Sequence, residues 1–224
     1  MVEDNLQRIY GELPPGVKLV AVSKFHPAEV ILEAYNAGQK RFGENRPQEF
    51  AAKARELPGD IEWHFIGHLQ TNKLKLVLPY ASLVESVDSL HLLEAIENWG
   101  KVNGRVTNVL LELHLGAEET KGGFTEEGIE AVLGSIFSPG AFNPFPHVSF
   151  CGLMGMATNT DDESLVEADF IRIKAFKDRL DTIFPDMEDF RELSTGMSGD
   201  WKIAVRHGAT IVRIGTAIFG PREY

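Results

Sequence analysis

Eight short apolar runs recur along this chain, and after each of the first seven comes a stretch with helical periodicity. Strands buried on both faces read as continuous apolar runs, whereas helices place apolar residues three and four apart. The runs predict strands at 19–23, 41–43, 63–66, 83–87, 109–115, 148–156, 191–193 and 211–214. Helices are predicted at 27–39, 48–57, 71–78, 89–99, 126–137, 163–183 and 200–207. Strands alternating with helices pair in parallel, and eight of them in about 200 residues close on themselves. The alternation therefore predicts one α/β domain over 1–224, a single (β/α)8 TIM barrel, with little chain left for an eighth helix. Residues 1–10 carry helical spacing and add an extra N-terminal helix. The competing open, doubly wound sheet would place a glycine-rich dinucleotide loop after its first strand, and none follows residue 23.

Charge bears on partners. Lys and Arg number 22 against 33 Asp and Glu, a net charge of −11. Such a surface repels phosphate backbones and anionic membranes, which argues against nucleic acid and membrane partners. An anion must then be held by a local set of donors. The lone cysteine, Cys151, admits no internal disulfide, and its neighbours Val148, Phe150 and Leu153 suggest a small buried hydrophobe. The N-terminus lacks an apolar signal core, so a reducing, cytoplasmic home is expected.

Functional groups in such barrels stand at the C-terminal ends of the strands. The residues after each run thus form one set: Lys24, Gly43, Glu44 and Asn45, Gly67 and His68, Met156, Ser194 to Ser198, Gly215 and Thr216. Lys24 ends the run Leu19-Val20-Ala21-Val22-Ser23. There it either snorkels to solvent or stands in the barrel mouth, where desolvation and nearby cations favour the neutral amine that attacks an aldehyde. Arg213-Ile214-Gly215-Thr216 closes strand eight, in the region where this barrel usually holds a phosphate. Gly215 lets the backbone approach an anion, and Thr216 adds a hydroxyl and an N–H. The segment Ser194 to Asp200 opens a helix, with Ser198 or Asp200 as its cap. A helix N-terminus with hydroxyl side chains can also cradle phosphate. An aldehyde-reactive lysine facing an anion clamp supplies the two handles of pyridoxal phosphate (PLP), and an arginine suits its pyridine nitrogen. His64 and His68 are four apart but at a strand end, with no third ligand in view, so no metal site is expected and His64 is read as a hydrogen-bonded residue of the mouth.

These motifs carry a resemblance. Ala21-Val22-Ser23-Lys24, Phe42-Gly43-Glu44-Asn45, the run from His64 to Lys73, Ser194 to Asp200, and Val212 to Gly220 follow in order the pattern of the pyridoxal-phosphate homeostasis protein family. The resemblance covers nearly the whole chain. It implies a barrel of the alanine-racemase type with PLP held as an imine on Lys24. It also implies Ser198, Gly215 and Thr216 around the phosphate, Arg213 near the ring nitrogen, and Asn45 facing the cofactor. The function it implies is that of a carrier or regulator of PLP without catalytic activity, monomeric, with PLP-dependent apoenzymes as candidate recipients. Two positions depart from the pattern: Arg46-Pro47, where an aromatic usually follows Asn45, and Gly155, where Thr is common. Both are expected at the pocket rim. Glu119 to Phe124 also resembles a family loop.

The alternative is an amino-acid racemase or decarboxylase on the same barrel. Enzymes of that type add a β-rich domain that completes the site, and this chain ends at Tyr224, soon after Thr216. No opposing acid or base is therefore expected. A third reading is a cofactor-free sugar isomerase, which would use the phosphate clamp but leave Lys24 without a task.

Overall fold

The computed structural model describes residues 1–115 and 122–221. Eight parallel strands close into a barrel in chain order: β1 Lys18–Val22, β2 Arg41–Glu44, β3 Glu62–Phe65, β4 Ala81–Val87, β5 Thr107–Glu112, β6 Val148–Met154, β7 Glu192–Ser194 and β8 Ile211–Ile214. β8 returns to β1 in register, from Lys18 against Ile211 to Ala21 against Ile214, so the sheet has no open edge. The helices are α1 Val2–Glu12, α2 Ala28–Asn36, α3 Pro47–Glu56, α4 Leu74–Val77, α5 Leu90–Asn103, α6 Glu126–Phe137, α7 Glu163–Ile183, α8 Trp201–Arg206 and α9 Thr216–Phe219.

Side chains alternate between two cores because successive residues of a strand face opposite ways. Outward-facing Trp63 and Phe65 meet Phe50 of α3, with ring centroids 5.8 and 5.6 Å apart, and Phe42 meets Trp63 at 5.9 Å. Inward-facing Val20, Leu83, Leu110, Met154 and Ile211 pack inside the barrel. Such interiors are usually filled by branched apolar residues. Here buried His64, Glu85, Ser194 and Arg213 share the space.

Helix ends follow local chemistry. Ser89, Thr125 and Asp162 cap α5, α6 and α7, each side chain accepting a backbone N–H of the first turn. α1 buries Val2, Leu6 and Ile9 along one face. Asn5 Nδ2 of α1 donates to Ile218 O of α9 at 2.9 Å. α9 is the eighth helix for which the sequence pattern left little room. It is one turn long, started by Gly215 O accepting from the N–H groups of Ile218 and Phe219. β5 ends three residues earlier than the apolar run, since Leu113 leaves the ladder for a lone bridge to Phe124. The helix predicted at 71–78 is a 3-10 turn, Thr71–Lys73, leading into the short α4. Within the loop from Glu119 to Phe124, residues 119–121 lie outside the described residues.

Candidate functional site

The C-terminal mouth of the barrel holds a chamber of about 470 Å3. Lys24, Asn45, Ser198, Arg213, Gly215 and Thr216 all line it, together with Val22, His26, Ile66, Gly67, His68, Met156, Met197 and Gly199. A larger cavity, about 610 Å3, lies at the opposite end among strand starts such as Lys18, Arg41, Glu62 and Glu192. Its charges neutralise one another, Lys18 with Glu192 and Arg41 with Glu62. The chemistry of these barrels belongs to the C-terminal ends, so size does not decide between the two. Half-buried Cys151 lines the lower cavity, where the sequence suggested a fully buried position.

Lys24 follows β1 after one residue, Ser23, and a buried ionic cluster brackets its backbone. Ser23 Oγ donates to Glu44 Oε1 at 2.7 Å. Lys53 Nζ donates to Ser23 O at 3.0 Å and to Glu44 Oε1 at 2.7 Å. On the other side, Phe25 N–H donates to Glu49 Oε1 at 2.9 Å, and Lys53 Nζ reaches the same oxygen at 2.7 Å. Phe25 sits at φ 69, a left-handed conformation that is strained for a bulky residue and held here by its surroundings. The Arg46 guanidinium covers the Phe25 ring, 4.4 Å from its centroid. That contact places the Arg46 departure beside the lysine turn. Burial pushes the Glu44 carboxyl upward, opposed by the Lys53 charge and hydrogen bonds.

Opposite the lysine, the loop after β7 meets the end of β8. Ser198 Oγ accepts the Gly215 N–H at 3.2 Å, which leaves the Ser198 hydroxyl proton to donate elsewhere. Neither expected cap forms: Asp200 accepts from Met197 N–H, and α8 begins without a side-chain cap. Thr216, at the start of α9, is exposed.

Arg213 is 4% exposed and forms part of the inner wall. It donates to Ser194 Oγ and to Gly155 O, so Gly155 stands behind the chamber instead of on its rim. A side chain at Gly155 would also meet Ile173 Cδ1 at 2.6 Å and Leu115 Cδ1 at 2.7 Å. Asn45 Oδ1 is buried and has no hydrogen-bond partner within the described structure. Gly67 packs on Asn45, where a Cβ would fall 2.3 Å from Asn45 O, so only glycine permits the approach. His64 departs from its predicted place: it is hydrogen-bonded, but inside the barrel to Glu85, and it lines the lower cavity.

An annex of about 500 Å3 shares Ile66, Gly67, His68 and Met156 with the chamber and adds Ser86, Asp88, Glu112 and Gly122. His68 Nδ1 pairs with Asp88 Oδ2 at 2.8 Å. Burial and the nearby Asp88 charge raise the Glu112 carboxyl to about 7, against the opposing charges of Arg213 and His68. Glu49, Lys53, Glu85 and Glu112 escaped the sequence reading, which held no local signal for them; Glu44 stood in its strand-end set, between Gly43 and Asn45, without a role of its own.

A family model described as alanine racemase, N-terminal domain, matches residues 1–223. A pyridoxal phosphate homeostasis protein of Aquifex aeolicus is 39% identical over 208 residues, covering 92% of this chain and 88% of that protein. The chain belongs to the pyridoxal phosphate homeostasis protein family. The human member of this family is 36% identical over 218 residues, covering 92% of this chain and 77% of that one. Among solved structures, PipY of Synechococcus elongatus with PLP bound is 36% identical, with a TM-score of 0.87, covering 98% of this chain and all of that one. An alanine racemase of Clostridium difficile shares the fold at a TM-score of 0.77 and 16% identity, covering all of this chain and 56% of that one. The family's barrel is thus the fold seen here.

Proposed function

We propose that this chain binds PLP covalently through Lys24 and serves PLP homeostasis as a carrier or regulator. The observation that carries the reading is one chamber that joins Lys24 to hydroxyl and N–H donors across the barrel mouth. The residues fit the cofactor. Asn45 Oδ1, buried and unpartnered, is ready to accept from a polar group on the ring. Ser198 has a hydroxyl proton to give an anion, and Thr216 adds another. Arg213 would face the pyridine nitrogen, where a fixed positive charge disfavours ring protonation. Lys24 would hold the cofactor through its amine, condensing with the aldehyde with loss of one water. Bound PLP supplies an electrophilic carbon and an electron-withdrawing ring.

Two things support the carrier reading: the names of the relatives, which are homeostasis proteins, and the exposure of the mouth. The His68 side chain is 71% exposed. Water there weakens electrostatic stabilisation of a carbanion. Glu112, titrating near neutrality beside the chamber, favours the alternative of a racemase or decarboxylase. Release to PLP-dependent apoenzymes, a monomeric state and a cytoplasmic home belong to the same proposal. No helix among the described residues is long and apolar enough to cross a membrane.

Borohydride reduction of the PLP-loaded protein followed by peptide mapping tests the lysine. The label should lie on the peptide containing Lys24, and Lys24→Ala should lose it while retaining phosphate-driven affinity. A label on Lys18, Lys73 or Lys121 would overturn the assignment. Incubation with L- and D-amino acids tests the role. Many turnovers of racemisation, decarboxylation or transamination, abolished by Lys24→Ala and by Glu112→Gln, would replace the carrier with an enzyme.

A further inference from the structure

A charged chain crosses the barrel interior beneath the chamber. Arg213 of β8 donates from Nη1 to Ser194 Oγ of β7 at 2.5 Å and from Nη2 to Gly155 O at 3.1 Å. Ser194 Oγ lies 2.5 Å from Glu85 Oε2 of β4, and Glu85 Oε1 lies 2.5 Å from His64 Nδ1 of β3. Glu85 Oε2 is also 3.6 Å from Arg213 Nη1. β4 and β7 are not neighbours in the sheet, so the Ser194–Glu85 bond runs through the lumen. The chain begins on the chamber wall at Arg213 and ends on the lower cavity at His64.

A fully buried carboxylate persists only where it is paired and hydrogen-bonded. Burial pushes the Glu85 carboxyl upward, but the His64 hydrogen bond and charge, the Arg213 charge and the Ser194 hydroxyl outweigh it and hold it below the usual range. Glu85 is therefore ionised and can only accept, so Ser194 donates to it and in turn accepts from Arg213. His64 donates from Nδ1 by the same logic. One arrangement of protons satisfies all four groups; it holds the guanidinium at Nη1, while Gly155 O holds Nη2. Glu112 and Asp200 also act on Arg213, but burial raises both carboxyls and neither touches it. Glu85 is the fixed counter-charge.

We propose that Glu85, oriented by His64 and Ser194, is a positioning residue that fixes Arg213 on the chamber wall and sets the electrostatic potential felt by an aromatic ring bound against it. The inference rests on PLP occupying the chamber, and its test has one arm that needs PLP and one that does not. In the first arm, Glu85→Gln removes a negative charge beneath the ring. The potential at the Lys24 C=N nitrogen becomes more positive, so its absorption band should titrate at a pH lower by on the order of one unit. His26, His68, Asp88, Glu112 and Asp200 around the mouth are the same in both proteins, so the difference reports Glu85. In the second arm, NMR of the PLP-free protein follows the Arg213 guanidinium. Its N–H signals should be separate in the wild type and averaged by rotation in Ser194→Ala, a smaller change that keeps both charges if Glu85→Gln fails to fold. Separate signals persisting in Ser194→Ala, or a titration unchanged in Glu85→Gln, would overturn the proposal. A wild type that takes no label on Lys24 would instead sink the PLP reading, leaving the NMR arm to decide on Arg213.

Discussion

Lys24 is placed by its own neighbours only in part. The buried run before it sets where the strand ends, but the left-handed turn at Phe25 that follows depends on Glu49, which accepts its N–H. Thr216 is the most direct probe of the opposite wall. A hydrogen bond to a charged group contributes roughly 1.5–3 kcal/mol, so Thr216→Val should weaken PLP binding by about one to two powers of ten in an equilibrium titration. Unchanged affinity would remove its hydroxyl from the anion site. Glu112 makes a second residue-scale prediction. Its carboxyl titrates at about 7 in the fold against an ordinary 4.5, so the fold favours the neutral form. That contribution is fully present below about pH 4.5 and is lost as pH rises through about 7. Glu112→Gln should therefore stabilise the protein at pH 8, by roughly 1–3 kcal/mol, and change little at pH 4. Urea unfolding at both pH values checks it, and an equal effect at both would show that Glu112 is not the titrating group.

At the scale of elements, β1, β2 and α3 meet at one buried lysine. Lys53 links Ser23 O at the end of β1, Glu44 on β2 and Glu49 on α3. Glu44 is fully buried, so Lys53→Met would leave its carboxylate without a counter-charge, held by the Ser23 hydroxyl alone. Removing one partner of such a pair costs about 3–5 kcal/mol. Denaturant unfolding should show that loss, and PLP capture should slow because the lysine turn loses its bracket. The exposed pair Lys174–Asp178 on α7 gives the contrast: Lys174→Ala should cost less than about 1 kcal/mol. Comparable losses from the two variants would mean that the cluster is no more than a surface-like contact.

Closure makes the molecule a single cooperative object, since β8 seals against β1 and the inner core is shared by strands from all round the barrel. Ile211 is 1% exposed and sits in that inner core. Ile211→Ala should therefore cost about 2–5 kcal/mol, read as a fall in the urea midpoint with the slope unchanged. A small loss would mean that the lumen can collapse around the cavity. Much of this architecture was legible in the chain. The order and number of strands, the N-terminal helix and the clustering of Lys24, Asn45, Ser198, Arg213, Gly215 and Thr216 at one mouth all follow from apolar period and strand ends, which are signals spread over a few residues. The period of a strand tells which side chains turn inward, and no more. It does not tell which of them meet across a lumen: Ser194 finds Glu85 from 109 positions away, and Phe25 finds Glu49 from 24. A buried charge is tolerable only beside its partner in space. Sequence alone thus determined the barrel and the end at which Lys24, Asn45, Ser198, Arg213, Gly215 and Thr216 gather. Tertiary structure alone decided that His64 lies inside, that Glu112 titrates near neutrality and that Arg213 is held by a carboxylate, because desolvation and Coulomb energy depend on distances that chain order does not encode.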